Sequence, residues 1–252
     1  MLEAPIVEIF SSIQGEGLLV GRRQIFVRFA GCNLNCSYCD TEASKSSKNG
    51  TLRNVDYVVN KINELKTPDL HSVSFTGGEP SLYADFIKEV IDKINFPGFL
   101  ETNGILTKEI NKIDNLKYAS LDIKLPENLE DAFDSKIISS EIDSINLLID
   151  KGINVYCKIV VFPNLDLKLF ENLIFNVSKA INKKDNLSII IQPVSPIELW
   201  KNDKDKLFKF SEITGKYMDV LIIPQLHKFM NIEWIYIFYY ILCIFIHFFI
   251  FS

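Results

Sequence analysis

The chain has 252 residues, of which 48% are hydrophobic and 23% are charged, and its formal net charge is −5. These values are typical of a soluble globular protein with one large or two small domains, and they exclude a disordered, collagen-like or disulfide-stapled chain. The acidic balance argues against a nucleic-acid partner. The amino terminus, Met1 to Pro5, lacks the positive charge of a secretory signal, so we expect a reducing, cytosolic compartment.

Predicted strands and helices alternate along the chain. Hydrophobic runs predict strands at Ile6–Phe10, Ile25–Phe29, Val73–Phe75, Phe99–Glu101, Tyr118–Ile123, Val155–Val161, Ser188–Gln192 and Val220–Ile223. Apolar residues spaced three and four apart predict helices at Val55–Leu65, Phe86–Ile94, Leu169–Ile181 and Leu207–Tyr217. The hydrophilic stretch from Ser44 to Gly50 is typical of an exposed loop. The alternation predicts an α/β fold with a parallel sheet, whose ligands lie at the carboxyl ends of the strands.

Three of the five cysteines, Cys32, Cys36 and Cys39, follow the second predicted strand closely. In a reducing compartment, such clustered thiols favour a metal site over a disulfide. Three thiolates leave one iron of a four-iron cluster open to a non-protein ligand. Structural zinc needs a fourth ligand, and neither a second cysteine pair nor a histidine is near in sequence. A zinc site and three unrelated loop cysteines are the alternatives.

The next predicted strand ends in Thr76-Gly77-Gly78-Glu79-Pro80. Together with the C-x3-C-x2-C spacing, this segment resembles the radical S-adenosylmethionine (SAM) superfamily, whose two motifs hold a [4Fe-4S] cluster and meet the SAM amine. The resemblance implies a partial (βα)6-type barrel. The paired glycines would let the backbone approach SAM, and Glu79 would offset positive charge there. Taken alone, residues 76–80 also fit an ordinary turn between a strand and a helix.

Two further segments narrow the resemblance: Gln14-Gly15-Glu16-Gly17 before the cysteines and Pro224-Gln225-Leu226-His227-Lys228 late in the chain. With Glu101-Thr102-Asn103-Gly104, they resemble the 7-carboxy-7-deazaguanine synthase family over roughly residues 4–230. Members of that family are radical SAM lyases of 7-deazapurine (queuosine and archaeosine) biosynthesis. The resemblance implies conversion of 6-carboxy-5,6,7,8-tetrahydropterin to 7-carboxy-7-deazaguanine with release of ammonia. It also implies a magnesium ion, a homodimer, and flavodoxin or ferredoxin as the external reductant.

The resemblance assigns roles to individual residues. Cys32, Cys36 and Cys39 would ligate the cluster, and Thr41 would bind magnesium through its hydroxyl group. The candidate catalytic residues are Glu16, Arg28 and His227. The substrate would be held by Ile13, Gln14, Gly15, Glu16, Arg28 and Thr76. The SAM site would be formed by Tyr38, Asp40, Gly77, Gly78, Glu79, Asp122, Ile123, Lys124, Gln192 and Val194.

Several of these residues also have an ordinary structural interpretation. The planar fork of Arg28 suits the substrate carboxylate, but a structural ion pair fits it as well. Residues 14–16 fit a tight glycine turn. Asp122 and Lys124 fit a solvent-facing strand end, and His227 fits a surface position. Several family members carry Ser-Pro-Lys where this chain has residues 122–124, which leaves the SAM contacts there open.

The last 21 residues, from Ile232 to Ser252, depart from the family pattern, so the predicted radical SAM domain covers residues 1–231. From Trp234 to Phe251 there is no formal charge, and Ile, Phe and Tyr dominate while Leu, Ala and Gly are nearly absent. We expect a frameshift or read-through product in AT-rich DNA. A membrane anchor and an aggregation-prone strand are the alternatives.

Two other functions fit part of the pattern. A glycyl-radical activating enzyme shares the three-cysteine spacing but lacks the Gln-Gly-Glu-Gly segment before it. A membrane-tethered iron–sulfur electron carrier fits the hydrophobic tail, but it favours a fourth cysteine near the cluster. The remaining cysteines, Cys157 and Cys243, lie far from the cluster in sequence.

Overall fold

The computed structural model describes residues 2–125, 129 and 136–232. The strands in these residues are β1 (Glu3–Ile13), β2 (Arg23–Phe29), β3 (Thr51–Asn54), β4 (Leu70–Gly77), β5 (Gly98–Thr102), β6 (Leu116–Asp122), β7 (Asn154–Val161), β8 (Ser188–Pro193) and β9 (Asp219–Ile222). The helices are α1 (Val55–Leu65), α2 (Ala84–Lys93), α3 (Thr107–Ile110), α4 (Lys136–Asp150), α5 (Leu167–Ala180), α6 (Lys204–Gly215) and α7 (Leu226–Met230).

The nine strands described form one sheet in the order β3-β1-β2-β4-β5-β6-β7-β8-β9. Strand β1 runs antiparallel to both β2 and β3, whereas β2 and β4 to β9 run parallel to one another. A helix follows each of the six parallel strands from β2 to β8, with β3 inserted before α1. In the described residues the edge strands β3 and β9 do not pair, so the (βα)6 barrel is partial, as predicted.

The helices pack because each presents an apolar stripe to the sheet. Helix α1 buries Val55, Val58 and Ile62 on one face, and Asn54 caps its start by accepting a hydrogen bond from the backbone of Tyr57. Strand β8 is apolar and almost wholly buried, with α6 packed against it, as is typical of a strand inside a parallel sheet. The resulting core leaves the carboxyl ends of the strands free to carry polar side chains.

All eight predicted strands and all four predicted helices are present, but four elements escaped the sequence pattern. Strand β3 has only four residues, and α3 and α7 are one turn each. Helix α4 was missed because its buried face includes polar residues, Glu141 and Ser144. The antiparallel direction of β1 was not anticipated either.

The loop predicted at residues 44–50 contains a short 3-10 turn at Ser47–Asn49 and is exposed at residues 46–49, as expected, but Ser44 at its start is fully buried. Among the described residues, the helices are too short or too polar to cross a lipid bilayer. The expectations for the hydrophobic tail lie outside the described residues, apart from Ile232 at its start.

Candidate active site

The carboxyl ends of the parallel strands surround a cavity of about 340 Å³. The end of β1, the cysteine loop (residues 30–50), the ends of β4 to β8 and helix α7 all contribute to its wall. Every predicted site residue lines this cavity except Glu79 and Ile123. The placement follows from the fold, since the carboxyl ends of parallel strands meet at one edge of the sheet.

The cysteine loop brings three free thiols, those of Cys32, Cys36 and Cys39, to the cavity. Backbone hydrogen bonds fold the loop back on itself, from Gly31 to Ser44 (2.8 Å) and from Cys32 to Lys45 (3.0 Å). Burial raises the pKa of Cys36, and the charge of Lys124 opposes that rise. A cationic side chain beside the thiols favours their ionised, metal-binding form.

The spacing of the three thiols distinguishes between metal centres. Thiolates bound to one zinc ion at about 2.3 Å lie within about 4 Å of one another. Among the described residues, the three sulfur atoms do not all lie within 4.8 Å of one another. The wider spacing suits the separate iron atoms of a cluster, so the residues fit a [4Fe-4S] centre better than a single zinc ion.

The two glycines after β4 are required by the protein backbone itself. Gly77 has φ +121°, and a β-carbon there would collide with the backbone of Phe29. A β-carbon on Gly78 would collide with the carbonyl oxygens of Gly31 and Ser44. The glycines therefore let the end of β4 pack against β2 and the cysteine loop. This close packing is a different reason from the approach to SAM on which the sequence prediction rested.

Glu79 lies beneath the cavity. Its side chain is fully buried and accepts hydrogen bonds from the hydroxyls of Ser81 and Thr102 (both 2.6 Å) and from the backbone of Ser81 and Asn103. Burial raises its pKa, which the four donors oppose. Glu79 thus ties the end of β4 to the end of β5. The sequence predicted that Glu79 would form part of the SAM site. In the structure it does not line the cavity.

The turn after β1 presents a charged and hydrogen-bonded surface. Gln14 is buried and donates to Gln24 (2.9 Å) and to Glu101 (3.3 Å). Glu16 forms an ion pair with Lys158 (2.5 Å) and accepts a hydrogen bond from Gln225 (2.7 Å). Burial raises the pKa of Glu101, while the charge of Lys158 opposes the rise. The tight-turn interpretation of residues 14–16 is thus incomplete, because their side chains form part of the cavity wall.

Arg28 and Thr76 lie side by side on β2 and β4. The Nε atom of Arg28 donates to Glu8 (2.8 Å), which confirms the structural ion pair, and its Nη1 lies 3.5 Å from the hydroxyl of Thr41. Arg28 also lines the cavity, so its structural ion pair does not exclude a contact with a ligand there.

Asp40 lies in the cysteine loop and contacts helix α7 through Lys228. It accepts hydrogen bonds from Gln225 (2.9 Å) and Thr41 (3.1 Å), and Lys228 lies 3.3 Å away. Burial acts to raise the pKa of Asp40, but Lys228 and the hydrogen bonds outweigh it and lower the pKa to about 2. Asp40 is therefore ionised at neutral pH.

The end of β6 carries Asp122 and Lys124, which form an ion pair of 2.6 Å. Lys124 also donates to the hydroxyl of Tyr38 (2.8 Å) and is only 4% exposed, so the solvent-facing interpretation was wrong. Despite burial, Asp122 and Tyr38 raise the pKa of Lys124 well above its usual value. Behind the strand, Glu141 on α4 accepts hydrogen bonds from the backbone of Lys124 (3.2 and 3.3 Å).

His227 on α7 packs against Gly15, where a β-carbon would collide with its ring. The ligand atoms of Glu16, Asp40 and His227 all lie within 4.8 Å of one another. Across the cavity, the Oε1 atom of Gln192 is buried and has no hydrogen-bond partner among the residues that the structure describes. A buried carbonyl oxygen of this kind is costly unless a ligand donates to it.

Sequence reasoning missed several residues of the wall. Lys158 was passed over, although a lone charge inside the apolar strand Val155–Val161 is itself a signal of a buried partner. Gln225, Lys228 and Glu101 were noted only as parts of family motifs. All four belong to the cavity wall and bind residues that the sequence did identify.

The chain matches one protein-family model and several named relatives. The Radical SAM superfamily model matches residues 26–176. A 7-carboxy-7-deazaguanine synthase of Methanothermobacter thermautotrophicus is 46% identical over 245 residues, covering 92% of this chain and 99% of that protein. The protein of the same name from Methanocaldococcus jannaschii is 38% identical over 247 residues, covering 90% and 99% of the two chains.

Among solved structures, QueE from Escherichia coli matches with a TM-score of 0.59 at 19% identity, covering 87% of this chain and 93% of that one. Spore photoproduct lyase in complex with dinucleoside spore photoproduct matches with a TM-score of 0.53 at 11% identity, covering 77% and 74% of the two chains. At these identities, the matches establish the fold alone.

Proposed function

Because the chain belongs to the 7-carboxy-7-deazaguanine synthase family of radical SAM lyases, we propose that it converts 6-carboxy-5,6,7,8-tetrahydropterin to 7-carboxy-7-deazaguanine and ammonia. One observation carries the proposal: a single cavity joins the three thiols to the polar wall formed by Gln14, Glu16 and Arg28. A cluster and a polar bicyclic substrate could therefore occupy neighbouring parts of one space.

A cluster and SAM, when bound, would supply the radical that abstracts a hydrogen atom from the substrate. The chain's own residues would bind and orient. Cys32, Cys36 and Cys39 would hold the cluster, and the unpaired Gln192 oxygen is an acceptor suited to a SAM amine. Tyr38, Asp40, Gly77, Gly78, Asp122, Lys124 and Val194 would complete the SAM site, with Glu79 and Ile123 supporting it from below.

The substrate would lie against the opposite wall. Arg28 would pair with its carboxylate, a group that a guanidinium fork matches. Residues 13–16 would meet the amide and amine edge of the ring, since Glu16 and the backbone there offer acceptors. Thr76 and His227 would close the site from the two sides. This arrangement would fix the reacting carbon relative to SAM, which is the protein's main contribution to such a reaction.

Magnesium would bind at Thr41, whose hydroxyl group lies 3.1 Å from Asp40. A hard cation suits an oxygen-rich site shared with a substrate carboxylate. Glu16, Asp40 and His227 lie close enough together to offer a second ligand set. Lys158 and Lys228 already neutralise the two carboxylates, which favours Thr41 as the magnesium ligand.

The proposal includes the wider organisation of the protein. Residues 1–231 would form the catalytic domain, as a cytosolic homodimer reduced by flavodoxin or ferredoxin, and residues 232–252 would have no catalytic role. The alignment that covers 99% of the Methanothermobacter protein covers 92% of this chain, which supports an extension outside the shared domain.

The two other candidate functions are not favoured. An electron carrier would be expected to complete the cluster with a fourth cysteine, and Cys157 is buried in β7 and does not line the cavity. An activating enzyme would not need the polar wall around Glu16. Neither alternative accounts for the 46% identity over almost the whole chain.

The test is turnover by the anaerobically reconstituted protein, as the full chain and as a form ending at Ile232. With SAM, dithionite, magnesium and the pterin, mass spectrometry should detect 7-carboxy-7-deazaguanine from both forms. If 5′-deoxyadenosine forms without that product, the assigned substrate is wrong. An intact cluster with no SAM cleavage would contradict the enzymatic function itself.

A further inference from the structure

Lys158 is a buried cation whose role none of the sequence motifs indicates. It lies within the otherwise apolar strand β7, and its side chain is 13% exposed. Its Nζ atom lies 2.5 Å from Glu16 and 3.5 Å from Asp122. Although burial opposes its charge, the surrounding carboxylates of Asp122, Glu16 and Glu101 raise its pKa well above the usual value. Lys158 is therefore charged at neutral pH.

The sheet register explains how one lysine reaches both carboxylates. Asp122 and Lys158 are direct neighbours on the parallel strands β6 and β7. Glu16 arrives from the turn after β1, 142 residues away in sequence. Lys158 thus connects the SAM side of the cavity, through Asp122, with the substrate side, through Glu16.

These contacts form part of a longer chain of polar groups. From Tyr38 the contacts pass to Lys124, Asp122, Lys158, Glu16, Gln225 and Asp40. We call this series the polar belt. It leaves the cysteine loop at Tyr38 and returns to that loop at Asp40, so it runs around the cavity from the cluster side to the substrate side and back.

Lys158 is the lysine of the polar belt that pairs with Glu16. Lys158 forms an ion pair of 2.5 Å with Glu16, which also accepts a hydrogen bond from the neutral amide of Gln225. Lys124 cannot replace it, because Lys124 is already bound to Asp122 and Tyr38. An ionised carboxylate left in such a site without a cation is strongly disfavoured.

We propose that Lys158 is a positioning residue, which holds the carboxylate of Glu16 in the orientation that receives the substrate. The proposal rests on the proposed function, since it assigns Glu16 to the pterin. Lys158 itself acts from behind Glu16, so its contribution is to substrate affinity through that carboxylate. The cluster, and most of the affinity for SAM, depend on other residues.

The experiment measures binding to the anaerobic holoenzyme of wild type, Lys158→Met, Lys158→Arg, Glu16→Gln and the double variant Glu16→Gln/Lys158→Met. Titration calorimetry gives the Kd of the pterin and, separately, of SAM, and absorbance near 410 nm reports the cluster. Lys88→Met is the matched control, because it removes an exposed ion pair with Asp114. Steady-state assays give kcat and KM.

We expect Lys158→Met to weaken pterin binding by about thirtyfold or more. The Kd of SAM should change by less than about threefold, with an unaltered cluster spectrum and with Lys158→Arg recovering part of the loss. In the Glu16→Gln background, Lys158→Met should add little further loss, since the partner through which it acts is already neutral. A lysine with a merely structural role would not show this coupling.

Three results would overturn the proposal. The first is wild-type pterin affinity in Lys158→Met, and the second is full additivity of the two substitutions in the double variant. The third is a parallel loss of SAM and pterin affinity in Lys158→Arg. If Lys158→Met does not fold, Lys158→Arg and the double variant decide, because the first keeps the charge and the second removes both charges. If wild type neither binds nor converts the pterin, the proposed function fails, and this proposal fails with it.

Discussion

The two sides of the cavity differ in how far the protein itself satisfies their polar groups. On the side formed by β1, β7 and α7, Gln14, Glu16 and Gln225 are held by hydrogen bonds and ion pairs. On the side formed by the cysteine loop and β8, the three thiols form no disulfide, and among the described residues the buried Oε1 atom of Gln192 has no hydrogen-bond partner. The first side is organised by the fold, whereas the second side depends on what binds there.

This difference predicts two kinds of response to substitution. A change on the self-paired side leaves a charged or polar group unsatisfied inside the protein, so it should cost both stability and substrate binding. A change on the unpaired side removes little from the protein alone, so it should affect binding or activity while the fold is unaltered.

The largest effect is expected from Cys36→Ala. Without its thiolate, the cluster should not assemble, so activity should fall below detection and the iron content and 410-nm absorbance should be lost. The unfolding midpoint of the iron-free protein should hardly change. Cys157→Ala is the matched control, because that thiol is buried in β7 away from the cavity. It should retain the cluster and lose about 1 kcal/mol of stability.

The next largest effect is expected from Gln225→Leu, on the self-paired side. The amide of Gln225 donates to both Glu16 and Asp40 and accepts a hydrogen bond from Ser195 (2.6 Å). Leucine has a similar volume but leaves two carboxylates without this donor. Hydrogen bonds to charged groups are worth about 1.5–3 kcal/mol each, so the KM for the pterin should rise by about tenfold or more and the melting temperature should fall. If neither the KM nor the melting temperature changes, Gln225 does not hold Glu16 and Asp40 in place.

A sharper comparison makes the same substitution at Gln192 and at Gln24, which binds Gln14 of the self-paired side. Gln24 is fully buried, accepts from Gln14 and donates to Ser72 (2.8 Å), so Gln24→Leu should destabilise the protein by about 1–3 kcal/mol. Gln192→Leu should leave the stability of the ligand-free protein within about 0.5 kcal/mol of wild type. Its Kd for SAM should instead rise by about tenfold. Equal destabilisation by the two substitutions in urea unfolding would contradict the distinction between the sides.

The sequence predicted the unpaired side better than the self-paired one, for a physical reason. The cysteine and glycine motifs of that side are short segments, so they can be identified from neighbouring residues in the sequence. The partners of Glu16 are Lys158 and Gln225, which are 142 and 209 residues away, and pairings at that separation have no periodic pattern. The sequence could have identified Lys158 as a charge within an apolar strand. It could not have identified Glu16 as the partner of that charge.

The structure adds a packing role to some residues that the motifs identified. Gly77 and Gly78 were predicted to let the backbone approach SAM, and the structure shows a close approach between protein backbones at both. Glu79 was predicted to offset charge at the SAM site, and its side chain joins two strand ends beneath the cavity. A motif identifies such residues without revealing whether ligand contact or packing requires them.

The smallest effect concerns Glu141, which supports the unpaired side from behind by accepting hydrogen bonds from the backbone of Lys124. Burial raises the pKa of Glu141 well above its usual value, and the nearby Lys124 offsets only part of that rise. The folded state therefore holds this proton more tightly than the unfolded state does. The associated stability is fully present below the unfolded pKa of about 4.3 and is lost as the pH rises towards the folded pKa.

Glu141→Gln keeps an acceptor for the Lys124 backbone but cannot ionise. Its stability relative to wild type should therefore increase as the pH is raised from about 5 to about 8, by roughly 1 kcal/mol or more. Urea unfolding at three pH values in this range measures the difference. The control is Glu171→Gln, since Glu171 is exposed and pairs with Lys216 on the surface, and it should run parallel to wild type over this range. Parallel curves for Glu141→Gln as well would mean that the Glu141 carboxyl is ionised in the folded protein, with the charge of Lys124 compensating its burial.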